Sequence, residues 1–113
     1  MEKLPFADTP ATRDQDVELL GRLAAAQMHF GNPRTALLFL KLAEFILPGQ
    51  TATMRMMVDA EHRLRRPQQA LEIILDLEAA DGDAANDPEL LRVKGLVLAM
   101  LGEGDAARSV LAR

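Results

Sequence analysis

The chain has 113 residues, of which 49% are apolar and 27% are charged, and it contains no cysteine, tryptophan or tyrosine. Its length predicts one small domain, and the lack of cysteine excludes disulfides, thiolate metal sites and a cysteine nucleophile. The net charge of −4 argues against a bulk binder of nucleic acids or anionic membranes, since such proteins neutralise phosphates with many Lys and Arg.

The N-terminal segment, residues 1–16, is polar, and Leu4 and Phe6 are its sizeable apolar side chains after Met1. This composition predicts a flexible leader in front of a single domain that spans residues 17–113. The leader has no basic region followed by a long apolar run, and no part of the chain approaches the roughly 20 apolar residues that span a bilayer. We therefore expect a soluble, cytoplasmic protein that does not insert into membranes.

From residue 17 onward, apolar residues recur at spacings of three and four, which is the period of a helix, and no window alternates with period two. Glycine and proline mark the helix ends and starts, so the sequence predicts an all-α fold of six helices, the last one short. Asn32 and Asp87 are the expected N-caps of the second and fifth helices. The predicted boundaries are Gly31-Asn32-Pro33, Pro48-Gly49, Arg66-Pro67, Asp87-Pro88 and Gly102-Glu103-Gly104.

Alanine recurs at one position early in the second, fourth and sixth helices. Ala36 and Ala70 are 34 residues apart, and Ala107 follows Ala70 by 37 residues, with the three extra residues in the acidic loop around 83–87. This period predicts three helix–turn–helix units, at about residues 17–50, 51–84 and 88–113. An ordinary helical bundle with fortuitous alanine spacing is the alternative.

The repeated unit resembles the tetratricopeptide repeat. Small or apolar side chains at the packing and turn positions carry the resemblance: Ala24, Gly31, Ala36, Leu40, Ala43, Pro48, Ala70, Ile74, Gly95, Gly102, Ala107 and Leu111. The first helices depart from the family, because Leu20, Met54 and Leu91 stand where it carries aromatic residues. The resemblance implies three repeats wound as a short right-handed superhelix.

No pattern in the chain brings together the groups that catalysis needs. His29 and His62 are the two histidines, and neither has a carboxylate three or four residues further along. The sequence also lacks the nucleophile, phosphate-binding and zinc motifs of known enzyme classes. We therefore expect no enzyme activity, no cofactor and no metal site.

In a tetratricopeptide array the first helix of each pair lines a concave groove, so the resemblance implies a groove that binds a protein partner. Methionine side chains there adapt to apolar anchors, and arginines bind carboxylates or carbonyls. The candidate groove residues are Ala25, Met28, His29, Arg55, Met56, Asp59, His62, Arg63, Arg92, Leu96 and Met100.

The second helix is apolar nearly all round. Leu38, Phe39, Leu42 and Phe45 are apolar in addition to the side chains that the core needs, and such a helix must be covered on more than one side. These four residues predict a docking face for a partner helix, for another copy of the chain or for the leader.

With its acidic charge, its three repeats and this second helix, the chain is similar to the small chaperones of bacterial type III secretion systems. The resemblance implies a bacterial cytoplasmic protein that keeps a small secreted, needle or export-gate subunit soluble by capturing its amphipathic helix. The expected complex is a heterodimer or heterotrimer, with a homodimer as an option when the chain is alone. The alternative is a general scaffold that recognises a short peptide through the basic, methionine-containing groove.

Overall fold

The structure is a computed structural model that describes residues 10–112, with side chains from residue 12 onward. Over this range the chain forms six α-helices and one 3-10 turn and has no strand, which confirms the predicted all-α fold. The elements are α1 (Pro10–His29), α2 (Pro33–Ile46), α3 (Thr51–Arg63), α4 (Pro67–Ala80), the 3-10 turn (Gly82–Asn86), α5 (Pro88–Met100) and α6 (Gly104–Leu111).

The first helix begins at Pro10. Residues 10–16, which the sequence predicts to be part of a flexible leader, are therefore helical. Proline suits the first helical position because an amide hydrogen there has no partner within the helix. Arg13, Asp14 and Gln15 are exposed. Their polar character is therefore that of a solvent-facing helix surface. The remainder of the predicted leader, residues 1–9, lies outside the described residues.

Three turns between helices close in the same way. Gly31, Arg65 and Gly102 follow α1, α3 and α5 with positive φ angles of 79°, 60° and 81°. In each turn the amide of the next residue donates to a carbonyl five residues back, which is the Schellman motif that ends a helix and reverses the chain. These donors are Asn32, Arg66 and Glu103, at 2.8, 2.9 and 2.9 Å from their acceptors.

The two predicted N-caps behave differently. Asp87 caps α5 through its side chain, because its Oδ1 accepts from the amides of Glu89 at 2.9 Å and Leu90 at 3.2 Å. Asn32 occupies the N-cap position of α2 but makes no cap bond, and its Nδ2 donates to Oε1 of Gln27 at 3.2 Å. The start of α2 therefore depends on Pro33 and on backbone bonds rather than on the Asn32 side chain.

The acidic loop before α5 folds as the 3-10 turn. Asp81 caps this turn, since its Oδ1 accepts from the amide of Asp83 at 3.1 Å, and Ala84 is fully buried beneath it. The extra residues of this loop are thus packed against α4 and α5 instead of extending into solvent.

Each helix packs against its neighbours in sequence, and α1 also contacts α3. The buried side chains form two larger clusters, both of which include residues of α3. Helix α3 therefore connects the two clusters. The clusters are Ala24, Met28, Ala36, Leu37, Leu40 and Ala60 around α1–α3, and Met54, Val58, Ala70, Ile74, Leu77, Ala84, Leu90, Val93 and Val97 around α3–α5.

Candidate partner-binding surfaces

The outer side of α2 carries three large apolar side chains that face solvent. Leu38, Leu42 and Phe45 are 66%, 36% and 83% exposed. Their spacing of four and three residues places them on one side of the helix over about two turns. The exposure expected from the sequence is confirmed for these three residues, which are called the α2 face below.

Phe39 does not belong to the α2 face, contrary to the prediction. Its side chain is half-buried and packs against the core cluster around α1–α3. One residue is a rotation of about 100° around a helix, so Phe39 turns inward although the adjacent Leu38 turns outward. Phe39 therefore lies at the border of the core.

The fourth helix shows that the fold does not require the α2 face. Both α2 and α4 have 14 residues and begin with proline directly after a Schellman turn. Each buried residue of α4 matches a buried residue of α2: Ala70 with Ala36, Ile74 with Leu40 and Leu77 with Ala43. At the positions of the α2 face, however, α4 carries Glu72, Asp76 and Ala79, all exposed. The apolar outer side of α2 is therefore surplus to the packing of the helix pair.

A groove of about 690 Å³ lies between α1 and the start of α3. Ala25 and Met56 of the predicted groove line it: Ala25 is exposed, whereas Met56 is half-buried and also packs against the core cluster around α1–α3. The side chain of Met56 lies 3.5 Å from where a Cβ at Gly21 would be. We call this the α1–α3 groove. Its lining combines apolar residues, namely Val17, Gly21, Ala25, Leu47, Ala52 and Met56, with polar ones, namely Asp14, Glu18, Arg22, Gln50 and Thr53.

A second cavity, of about 330 Å³, lies between α3 and α5 and is here called the α3–α5 pocket. Five of the predicted groove residues line it: Arg55, Asp59, His62, Arg63 and Arg92. Each arginine has a carboxylate partner. The pairs are Arg55 Nη1 with Asp87 Oδ2 at 2.7 Å, Arg63 Nε with Asp59 Oδ1 at 3.2 Å, and Arg92 Nη2 with Glu89 Oε1 at 2.5 Å.

These ion pairs change the electrostatics expected of the pocket. The hydrogen bond from the Leu90 amide, followed by that from Arg55, lowers the pKa of Asp87. Hydrogen bonding and charge from Arg92 lower the pKa of Glu89, and Glu89 in turn raises the pKa of Arg92. All of these groups are charged at neutral pH. The three arginines are thus balanced by three carboxylates, and the pocket is not the basic surface that the sequence predicted.

The hydrogen bonding of His62 in this pocket is incomplete. Its Nδ1 is buried and has no hydrogen-bond partner within the described residues, although such atoms are nearly always bonded. The neighbouring Arg63 is fixed to the first helix, because its Nη1 donates to the carbonyl of Met28 at 3.0 Å.

The remaining predicted groove residues are scattered. The prediction that Met28 lines the groove is wrong, because its side chain is buried in the core cluster around α1–α3, one turn after the buried Ala24. His29 is exposed, and its ring meets that of Phe30 edge-on with centroids 5.3 Å apart. Leu96 and Met100 are exposed on α5 but line neither the α1–α3 groove nor the α3–α5 pocket.

Within residues 12–112, no group of three or more His, Asp or Glu side chains is placed to hold a metal ion. None of the described helices combines the length and apolar character needed to cross a membrane. Comparisons with models of protein families, with curated proteins and with solved structures find no match. The function proposed below therefore rests on the surfaces of the molecule and on the resemblance carried by its sequence.

Proposed function

We propose that the chain is a non-enzymatic chaperone that keeps a small subunit of a bacterial type III secretion system soluble and competent for export. An amphipathic helix of the subunit docks on the chain, and this docking blocks the tendency of the subunit to assemble prematurely. The complex is a heterodimer or heterotrimer in the cytoplasm, and its formation requires no cofactor and no chemical turnover.

The exposure of the α2 face is the observation that carries this proposal. Leu38 and Phe45 are mostly exposed and Leu42 is 36% exposed. The packing of the helix does not need these side chains, since α4 packs in the same way with Glu72, Asp76 and Ala79 at the matching positions. Burial of a large apolar side chain contributes about 1.5–3 kcal/mol. A helix that docks at this face therefore gains several kcal/mol of binding free energy. For a stable complex, this gain must exceed the free-energy cost of immobilising the partner.

The recurrence of the turns supports a tetratricopeptide-like arrangement. The left-handed residues Gly31, Arg65 and Gly102 follow one another at the same spacings of 34 and 37 residues as the alanines of the second helices. In such an arrangement the first helices line the concave side. The α1–α3 groove lies between two of these helices and is a second candidate binding site for the partner.

A scaffold that recognises a short peptide through the α3–α5 pocket is the second candidate. The polar lining of the pocket favours it, because it offers hydrogen-bond partners to the backbone of a peptide. The ion pairs of the pocket weigh against it, since a peptide carboxylate would have to displace Asp59, Asp87 or Glu89 from its arginine. We therefore favour the chaperone.

An assembly assay tests the chaperone proposal. Purified needle and export-gate subunits of a type III system are mixed with the chain, and their polymerisation is followed by light scattering and sedimentation. We expect suppression at equimolar chain and a complex of defined mass in size-exclusion chromatography. The Phe45→Asp variant should lose both effects. Leu75→Asp, which makes the same kind of change at the half-exposed Leu75 of α4, should retain them.

Circular dichroism of both variants establishes that they remain folded. Unchanged polymerisation of every subunit in the presence of the chain would contradict the chaperone proposal. Loss of capture in Arg55→Glu together with normal capture in Phe45→Asp would instead support peptide recognition in the α3–α5 pocket.

A further inference from the structure

Two positively charged side chains lie beside the α2 face on the outer side of the helix. Arg34 precedes Leu38 by four residues and Lys41 precedes Phe45 by four, so each lies one turn from an exposed apolar side chain. Both are exposed, and neither forms an ion pair within the described part of the chain. The outer side of α2 is therefore apolar and positively charged.

No acid of α2 balances these cations. Glu44 is the acidic residue of this helix, and it is half-buried and directed to the helix end, where its Oε1 accepts from the amide of Gly49 at 3.1 Å. Arg34 and Lys41 are thus available to carboxylates from another molecule.

The fourth helix shows that this charge is specific to α2. The residues of α4 that match Arg34, Leu38, Lys41 and Leu42 are Gln68, Glu72, Leu75 and Asp76. Two equivalent helices of one chain, whose net charge is −4, therefore carry opposite charge on their outer sides. The positive charge of α2 is a local feature and follows neither from the fold nor from the overall composition.

We infer that the occupant of the α2 face is an amphipathic helix whose apolar stripe is bordered by Glu or Asp, an inference that rests on the proposed function and specifies the chemistry of the partner. The apolar stripe covers Leu38, Leu42 and Phe45, and the bordering carboxylates pair with Arg34 and Lys41. A symmetric dimer through α2 would instead gather Arg34 and Lys41 of both copies with no acid of α2 to separate them. The charge pattern therefore favours an acidic helix over a second copy.

Two designed peptides test this inference against the full chain. Both are about 18 residues long and helical with the same leucine stripe, which is bordered by Glu in one and by Lys in the other. Fluorescence anisotropy is expected to show about tenfold tighter binding of the Glu peptide at low ionic strength, with a smaller difference as salt is added. The double variant Arg34→Glu/Lys41→Glu should reverse the preference. Arg13→Glu/Arg108→Glu, which changes the net charge equally at exposed sites elsewhere, should keep it.

The other possible outcomes distinguish an error about the charge of the partner from an error about docking on the α2 face. Equal affinity for both peptides, unchanged in the Arg34→Glu/Lys41→Glu variant, would overturn the inference about charge and leave apolar docking intact. Binding of neither peptide would overturn docking on the α2 face altogether, while the assembly assay reports separately on capture elsewhere. Self-association of the chain alone that disappears in Phe45→Asp would assign the face to a second copy and overturn the inference.

Discussion

The guanidinium of Arg55 on α3 lies 2.7 Å from the carboxylate of Asp87 at the start of α5. The other oxygen of Asp87 accepts from the first amides of α5, those of Glu89 and Leu90. One side chain therefore fixes both the beginning of α5 and its position relative to α3.

Asp87→Ala is expected to destabilise the protein more than Arg55→Ala does. The first change removes two cap bonds and the ion pair, whereas the second removes the ion pair between two partly exposed groups. Thermal unfolding followed by circular dichroism should show a midpoint several degrees lower for Asp87→Ala and a clearly smaller change for Arg55→Ala. Asp105→Ala, which removes an exposed carboxylate from the start of α6, serves as the control. Equal losses at positions 55 and 87 would contradict the capping role.

The lowered pKa of Asp87 predicts a pH signature for the same variant. The pKa of this carboxyl is about 4 in the unfolded chain and lower in the folded one. Its stabilising contribution is therefore complete above about pH 4 and is lost as the pH falls through the folded pKa. The difference in melting temperature between the unmodified chain and Asp87→Ala should be constant from about pH 5 to 7 and should shrink under more acidic conditions. A difference that persists undiminished in strong acid would show that charge does not matter to the cap.

Arg65→Gly is expected to stabilise the protein. Arg65 has a φ of 60°, in the left-handed region where a side chain costs about 1–2 kcal/mol and glycine has no such penalty. Its side chain is exposed, so little is lost with it. A gain of about 1 kcal/mol, or about 4 °C in melting temperature, is expected. The opposite change at the matching turn, Gly31→Ala, should destabilise by a similar amount. A lower melting temperature for Arg65→Gly would contradict the assignment of strain to this turn.

Gly95→Ala is expected to loosen α6. A Cβ at this position would overlap the branching carbon of Leu111, so the whole Leu111 side chain would have to move. Helix α6 is held by a small cluster that includes Ala107 and Val110, so its docking is sensitive to such a shift. Amide hydrogen exchange in α6 should accelerate in Gly95→Ala and slow again in Gly95→Ala/Leu111→Ala. Unchanged exchange in the single variant would show that Leu111 moves aside without consequence.

The helix boundaries were accessible from the sequence because they depend on local chemistry. Proline at positions 33, 67 and 88 and glycine at 31 and 102 act within a single turn of the chain. Arg65 shows the limit of this approach, since it takes the conformation of the matching glycines without their sequence signal. The sequence predicts a later start for α1 than the structure shows, because the exposed first turns of this helix have the composition of a loop.

The surfaces were less predictable because they depend on helical phase and on tertiary contacts. Met28 and Phe39 are each one residue from an outward position, so a small error in phase exchanges core for surface. The partner of Arg55 lies 32 residues away in sequence and becomes a neighbour only when α3 and α5 pack. Asp14 was missed in the α1–α3 groove because the first helix was predicted to start after it.

A chemical footprint of the α2 face tests whether a secretion subunit docks there. The chain contains no cysteine, so a single introduced thiol reports on one position. Leu38→Cys places it on the α2 face, and Glu72→Cys places it at the matching exposed position of α4. Alkylation of each variant is timed with and without a saturating secretion subunit. We expect the subunit to slow alkylation several-fold in Leu38→Cys and to leave the rate in Glu72→Cys unchanged. Equal rates in Leu38→Cys with and without bound subunit would contradict docking on the α2 face.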